Sequence, residues 1–300
     1  MQTPVMDLPR VIAMNPEVIT VFSREKARQV ADLARASEVE QGVLLRVADP
    51  TRDVYLPGME GGITLDALPA AAREIQAMSG VRIDGVTTFP ALAYDVRAQP
   101  RATPNFTTLI SAAQTLQRLG IDVRQVNAPG NTSVHTLDLQ ATLGATHVEP
   151  GHGFLGTTPF HLGADLPERP AACYVTEVAH HVAGRAYVYG GGFFIDDPVW
   201  LEPGFVHQAL VGTTADELLS RSVDFLGAGS GTSGGFGGID YYGYLADDRA
   251  QLPVGASVLM GFRIQSFVTR ANIAVVSGCG DDPQLHGLFD NMGNRLPTYA

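Results

Sequence analysis

The sequence predicts an α/β protein followed by a β domain: a partial TIM-like barrel of parallel (βα) units, then an antiparallel β domain. In the first half, short apolar segments alternate with amphipathic helical segments, with repeats roughly 25 to 40 residues apart, as in parallel βα units. After about residue 165, glycine and aromatic residues become more frequent and long helical periods end, which is typical of antiparallel strands. The predicted domains are therefore 1–165 and 166–300.

Local signals place the individual elements. Ser23 is expected to cap a helix that runs to about residue 37, and Thr103 with Pro104 to start another that ends at Gly120. Two further helices are predicted from residue 65 to Gly80 and over 137–143. Strands are predicted at 18–22, 43–47, 85–89, 123–126 and 146–148, and in the second half at 172–179, 185–189, 206–211, 258–265 and 273–276. The glycine-rich stretch 227–238 predicts a loop.

Charge and composition exclude several classes of function. The 300 residues include 20 Lys and Arg against 31 Asp and Glu, a net charge of −11 that counts against binding nucleic acid or an anionic membrane. No apolar run approaches the ~18 residues of a membrane helix, and the first ten residues have no signal-peptide pattern, so a cytoplasmic protein is expected. Two cysteines, Cys173 and Cys279, are too few for a disulfide framework and are expected to be buried thiols.

Two short motifs match known patterns only formally. Gly229, Gly231 and Gly234 spell G-x-G-x-x-G, but no helix follows, so a dinucleotide site is not expected. Ser23 to Lys26 spells S-x-x-K, but Lys26 is the single lysine of the chain, which excludes an enzyme that needs a second one. The histidines lack the spacing of a metal site, and no metal is predicted.

Three other stretches place polar groups and glycines where chemistry could occur. The first, 127–133 (NAPGNTS), ends a predicted strand, and its backbone N–H groups and hydroxyls suit a phosphate. The second, 147–153 (HVEPGHG), contains two glycines, Gly151 and Gly153, that allow close backbone approach. The third, 185–193 (RAYVYGGGF), directs Tyr187 and Tyr189 to one face of a strand. On spacing alone, ordinary turn chemistry explains each stretch equally well.

In this order, the stretches resemble the fold-type III, alanine-racemase-like enzymes that use pyridoxal phosphate, and the YhfX-type group is the most similar. The resemblance runs from about residue 16 to 297 and includes VITVFSREKARQV, TPNFTTLISA, VNAPGNTS, THVEPGHGFLGTTP and EVAHHVAGRAYVYGGGFF. It implies a TIM-like barrel that binds pyridoxal phosphate at its carboxyl-terminal mouth, followed by a β domain.

The resemblance also implies cofactor contacts. Ser133, with Thr132, matches the residues that hold the cofactor phosphate, as do Gly151 and His152 after the next strand. Glu149 stands where ordinary alanine racemases place an arginine against the pyridine nitrogen. A carboxylate there would keep that nitrogen protonated and make the ring a better electron sink, which favours a broader range of reactions.

The same resemblance assigns further residues. Tyr189 matches the acid/base tyrosine that the family delivers across a dimer interface, with Tyr187 as the second choice. Arg46 replaces a barrel-lining lysine, and Asp49 follows it at the strand end. Thr88 replaces the histidine that packs on the cofactor ring, which weakens ring stacking.

The family's Schiff-base lysine has no match, because it precedes the segment that corresponds to 18–22. The expectation is that the chain starts too far downstream, that a separate lysine-bearing chain completes it, or that it is a remnant. The leading hypothesis is a homodimeric pyridoxal-phosphate-dependent amino-acid racemase or epimerase, an isomerase. The alternative is a non-catalytic subunit that binds pyridoxal phosphate or another phosphorylated ligand. A metal-assisted aldolase or dehydratase is disfavoured, because 262–265 reads FRIQ where those relatives carry His-x-Cys.

Overall fold

The protein consists of two compact units in a computed structural model. The structure describes residues 2–52, 61–94, 99–156, 166–189, 208–228, 242–247, 249, 251–260, 271–279 and 282–297. The first unit extends to Phe154 and includes Leu166–Glu168, while the second contains the described residues from Arg169 onward together with Leu155 and Gly156. The predicted boundary near residue 165 stays an expectation, since residues 157–165 lie outside the described ranges.

The first unit contains helices, a parallel sheet and one small hairpin. Its helices are α1 (Leu8–Ala13), α2 (Arg24–Ala36), α3 (Leu68–Gln76), α4 (Pro104–Arg118) and α5 (Val134–Thr142), followed by a 3-10 turn over His152–Leu155. Its strands are β1 (Val18–Val21), β2 (Gln41–Arg46), β3 (Val81–Thr87), β4 (Leu92–Tyr94), β5 (Pro100–Ala102) and β6 (Gln125–Asn127).

The parallel sheet has the strand order β1-β2-β3-β6, and helices α2, α3 and α4 pack against it. Alternation along β2 assigns its side chains to two faces. Val43 and Leu45 join the core under the helices, whereas Leu44 is buried outside that cluster and Arg46 follows it on the opposite face. Both faces of the strand are therefore covered, as expected for an arc of a (βα) barrel.

The second unit is built around a closed antiparallel barrel with the strand order β10-β11-β8-β7-β12-β9. Its strands are β7 (Tyr174–Val182), β8 (Arg185–Tyr189), β9 (Gln208–Gly212), β10 (Ser222–Ala228), β11 (Tyr242–Ala246) and β12 (Ser257–Met260), with helix α6 (Ala215–Ser220) after β9. A separate hairpin pairs β13 (Ile273–Ser277) with β14 (Gln284–Phe289). Inward-facing residues such as Val178, Val188 and Leu245 form the core of the barrel.

The predicted fold class is confirmed in both units. Thr103 is the N-cap of α4 as predicted, and the Ser23 hydroxyl accepts the Lys26 N–H at 3.2 Å to cap α2. The strand predicted at 146–148 is reduced to a single bridge between Asn127 and His147. Most of the predicted loop 227–238 lies outside the described residues, as does 261–265.

Two other expectations meet structural findings. The cysteines expected to be buried are both exposed free thiols, because they lie on surface positions of the second unit. None of the described helices combines the length and the apolar character that crossing a lipid bilayer requires.

Candidate active site

Neighbouring strand ends of the parallel sheet are hydrogen-bonded to one another at their carboxyl-terminal edge. Arg46 at the end of β2 donates through Nη2 to the carbonyl oxygen of Phe89 after β3, at 3.1 Å. The Ala91 N–H donates to the Pro129 carbonyl after β6 at 2.8 Å. Since ligands bind at this edge in parallel α/β sheets, these contacts define the edge at which a site is expected.

Buried side-chain amides hold the loop after β6 in place through hydrogen bonds. Asn131, in the left-handed region at φ +52°, donates through Nδ2 to the Leu92 carbonyl at 3.1 Å. Gln140 of α5, fully buried, donates to the Ala128 carbonyl at 2.8 Å and to the Thr132 hydroxyl at 3.3 Å. Sequence reasoning missed Gln140, although a polar residue on the inward face of a predicted helix is a recognisable signal.

Ser133 is the N-cap residue of α5, and its backbone, not its side chain, is hydrogen-bonded to Thr136. Its N–H donates to Thr136 Oγ1 at 2.9 Å, while the Thr136 N–H donates to the Ser133 backbone carbonyl at 3.0 Å. The Ser133 side-chain hydroxyl is buried and makes no hydrogen bond of normal geometry within the part of the chain that the structure describes. Because an unpaired buried hydroxyl is unfavourable, this oxygen is suited to a ligand such as a phosphate.

The turn over His152–Leu155 contacts this loop directly. A Cβ atom on Gly153 would lie 2.4 Å from the Thr132 carbonyl oxygen and 3.4 Å from the Ser133 Cα. A Cβ on Gly151, by contrast, would meet no described atom within 4 Å. Of the two glycines that the sequence singled out, only Gly153 is required for close approach. It brings the backbone of His152 next to the loop that carries Thr132 and Ser133.

Glu149 is held by Asn127, the first residue of the predicted stretch 127–133, although sequence reasoning did not predict this contact. Asn127, buried at the end of β6, donates through Nδ2 to Glu149 Oε1 at 2.7 Å. The Asn127 Oδ1 atom is buried and has no hydrogen-bond partner among the described residues. The exposed Glu149 side chain is thus fixed by one oxygen at the same edge as Ser133.

Two other predicted residues of this unit, Arg46 and Thr88, lie at the ends of β2 and β3. Arg46 lies near two aromatic rings, with its guanidinium carbon 5.2 Å from the Phe22 centroid and 5.9 Å from that of Phe89. Thr88 is buried and donates through its hydroxyl to the Val47 carbonyl at 3.0 Å, which joins the ends of β2 and β3. Its contact with a cofactor ring stays a prediction.

Asp49, beyond the end of β2, belongs to a local turn. Hydrogen bonds from the Thr51 hydroxyl, at 2.6 Å, and from the Thr51 N–H, at 3.0 Å, lower the pKa of this carboxyl below its usual value. The carboxylate therefore stabilises the turn itself.

Tyr189 is the last residue of β8 in the second unit. Its carbonyl oxygen accepts hydrogen bonds from the Thr176 hydroxyl at 2.9 Å and the Tyr174 hydroxyl at 3.2 Å, while its side chain is exposed. Tyr187 lies on the same face but is half-buried, with its ring stacked on His180 at a centroid distance of 4.7 Å. The greater exposure favours Tyr189 over Tyr187 for contact with a ligand. The glycines that follow Tyr189 lie outside the described residues.

The donor set at this edge fits a phosphorylated pyridine better than a metal ion. It offers a buried hydroxyl and a closely packed backbone turn, which suit a phosphate. It also offers a fixed carboxylate, which suits a protonated ring nitrogen. Nowhere in the described ranges do three His, Cys, Asp or Glu side chains form a group that could hold a metal ion.

Parallel βα units followed by a β barrel, with polar groups at the strand ends, are the features of alanine-racemase-like proteins of fold type III. The family model for the alanine racemase N-terminal domain matches residues 2–159, and the model for the YhfX-like C-terminal domain matches residues 173–285. The chain is 36% identical over 301 residues to the uncharacterized protein YhfX of Escherichia coli (strain K12), covering 98% of this chain and 72% of YhfX. It belongs to the alanine-racemase-like family, in its YhfX-like group.

Solved structures with this fold include enzymes of three kinds. D-threo-3-hydroxyaspartate dehydratase from Delftia sp. HT23 matches with a TM-score of 0.60 and 18% identity, covering 100% of this chain and 78% of that one. D-threonine aldolase from Filomicrobium marinum matches at 0.58 and 15%, covering 96% and 74%. Alanine racemase from Clostridium difficile 630 matches at 0.53 and 13%, covering 97% and 77%. At these identities the likeness shows the fold alone.

Proposed function

We propose that this chain carries the cofactor site of a pyridoxal-phosphate-dependent enzyme that moves a proton at the Cα of an amino acid, as a racemase or epimerase does. The observation that carries the proposal is the pair of groups at one sheet edge. They are the Ser133 hydroxyl, which is buried without a partner in the described ranges, and the Glu149 carboxylate, which Asn127 fixes. When bound, pyridoxal phosphate supplies a sink for the electron pair left behind when that proton leaves.

The chain's own residues divide this task. The Ser133 hydroxyl and the backbone of Gly151 and His152 bind the phosphate, and Gly153 allows the turn to lie against the Thr132 carbonyl. Glu149 holds a proton at the pyridine nitrogen. Asn127 is a positioning residue, because its Nδ2 fixes one oxygen of that carboxylate at 2.7 Å.

Tyr189 is proposed to exchange a proton with the substrate Cα on one face, from the partner subunit of a homodimer. The two hydroxyls that bind its carbonyl fix the end of β8 and therefore the direction in which the phenol leaves the strand. Arg46, whose guanidinium lies close to two aromatic rings, places a permanent positive charge at the sheet edge and is proposed to orient an anionic group.

A second candidate is a protein that binds a phosphorylated ligand without turnover. It is favoured by one observation: the single lysine, Lys26, lies in the first turn of α2 and donates through Nζ to the Thr3 carbonyl at 3.1 Å. That ammonium group is engaged in the fold itself, so the proposal assigns it no role with the cofactor.

In the first experiment, the wild type, Ser133→Ala and the matched control Ser111→Ala are each titrated with pyridoxal phosphate. Binding is monitored by the fluorescence of the cofactor. Ser111 is a half-buried serine of α4, away from the sheet edge. Binding that weakens about tenfold in S133A but not in S111A is expected, because one hydrogen bond to a charged group is lost. Absence of saturable binding by the wild type would refute the proposal.

The second experiment separates the two candidates. The protein is incubated with pyridoxal phosphate and a panel of amino acids in D2O, and Cα–H exchange is followed by NMR. Exchange that falls in Tyr189→Phe supports the enzyme. Cofactor binding without exchange of any amino acid would support the binding protein instead.

A further inference from the structure

The N-terminus of α5 already has an anion bound to it. The Glu168 carboxylate accepts the N–H of Val134, the first residue of the helix, across 34 residues of sequence. The three residues Leu166–Glu168 belong to the first unit, whereas the chain from Arg169 onward belongs to the second. A short segment near the junction of the units is thus attached to this helix end.

This contact lies next to the proposed phosphate position. Val134 follows Ser133, whose buried hydroxyl has no partner among the described residues. The occupied N–H and this oxygen therefore belong to consecutive residues. Covalent geometry and two hydrogen-bond lengths place a phosphate oxygen on Ser133 within roughly 9 Å of the Glu168 carboxylate. Helix N-termini favour anions, and two anions in that space repel each other.

We propose that Glu168 is a built-in competitor for the anion site at the N-terminus of α5, and that a phosphorylated ligand must displace it. The inference rests on the proposed function, since it takes the phosphate to bind at Ser133. Before a ligand binds, Glu168 occupies the Val134 N–H and thereby lowers the affinity of the site for phosphate. When Glu168 is displaced, the Val134 N–H is available to the ligand.

The test compares wild type, Glu168→Gln and the matched control Glu74→Gln, by calorimetric titration with inorganic phosphate and with pyridoxal phosphate at constant ionic strength. Glu74 is an exposed glutamate of α3 that pairs with Arg24. Removing one negative charge at this distance should tighten binding of both ligands about 3- to 10-fold in E168Q and leave it unchanged in E74Q.

A second measurement does not depend on a variant that folds. In the wild type, the backbone amide NMR signal of Val134 should shift during phosphate titration, because its acceptor changes from carboxylate to phosphate. Equal or weaker binding in E168Q, or a Val134 signal that does not move while phosphate binds, would overturn the role of Glu168 and leave the proposed function intact. If neither ligand binds to the wild type or to E168Q, the proposed function fails, and the inference with it.

Discussion

A methyl group at Gly153 should separate the turn after Glu149 from the loop that carries Ser133. In Gly153→Ala the new Cβ would lie 2.4 Å from the Thr132 carbonyl oxygen. Ordinary carbon–oxygen contacts are about 3.3 Å, so the two segments must move apart by about 0.9 Å. Thr132 cannot retreat easily, because it is buried and its hydroxyl is bound by Gln140.

Overpacking of this kind costs about 1–3 kcal/mol in the free energy of unfolding. At about 2–4 °C per kcal/mol for a unit of this size, the midpoint of thermal unfolding should fall by about 2–12 °C. Affinity for inorganic phosphate should fall as well, because Thr132, whose carbonyl must move, is bonded directly to Ser133.

The matched control is Gly151→Ala, two residues earlier in the same segment. A Cβ there meets no described atom within 4 Å, so the thermal midpoint should change by less than about 2 °C. Circular dichroism melts of both variants measure the difference. The reasoning about close approach is refuted if G153A melts with the wild type, or if both alanine variants are destabilised equally.

Two other substitutions test contacts of the same sheet. Gly42→Ala would place a Cβ 2.1 Å from Asp84 Oδ2 and 2.5 Å from the Glu17 carbonyl oxygen. Urea denaturation should show a loss of about 1–3 kcal/mol in the free energy of unfolding, and an unchanged midpoint would contradict this close packing. Asn127→Asp would set two carboxylates against each other where Asn127 now donates to Glu149 at 2.7 Å. The variant should unfold at a lower temperature than the wild type at pH 7, because two carboxylates then face each other within hydrogen-bond distance. A thermal midpoint equal to that of the wild type would contradict this explanation.

The sequence predicted best the elements whose signals are local. The Thr103-Pro104 start of α4 and the Ser23 cap of α2 are confirmed, because capping depends on residues within one turn. Helix α1 and the β4–β5 hairpin were missed, since both are short and lack a repeated apolar period. Closure of the barrel in the second unit was also missed, because β12 pairs with both β7 and β9, and such pairing has no local signal.

The candidate site was predicted only in part for a similar reason. Ser133 and Glu149 came from a resemblance, and the structure brings both to one sheet edge. Gln140 and Glu168 were not singled out, and Asn127 was noted only as part of the stretch 127–133. The roles of Asn127, Gln140 and Glu168 depend on contacts across 22, 12 and 34 residues, respectively. A sequence pattern identifies residue types at strand ends, but it does not show which amide fixes which carboxylate.

At the amino-terminal half of the parallel sheet, buried polar groups are paired. Both carboxylate oxygens of Asp84 accept hydrogen bonds from Arg82, at 2.7 and 2.9 Å, which raises the pKa of that guanidinium further. Gln125 donates to Glu17 at 2.9 Å, and Gln41 to the Pro16 carbonyl at 2.9 Å. In barrels of this class that end of the sheet serves stability.

The carboxyl-terminal edge of the same sheet differs, because Ser133 Oγ and Asn127 Oδ1 are buried there without partners among the described residues. Each such atom costs about 1–3 kcal/mol, a cost that the opposite end of the sheet avoids. Sites that bind ligands keep such costs, since the missing partners arrive with the ligand. The S133A variant should therefore unfold at a higher temperature than the wild type when no ligand is added, while binding phosphate more weakly. If it is less stable without ligand, the hydroxyl is structural, and the argument that this edge is built for a phosphate loses its main support.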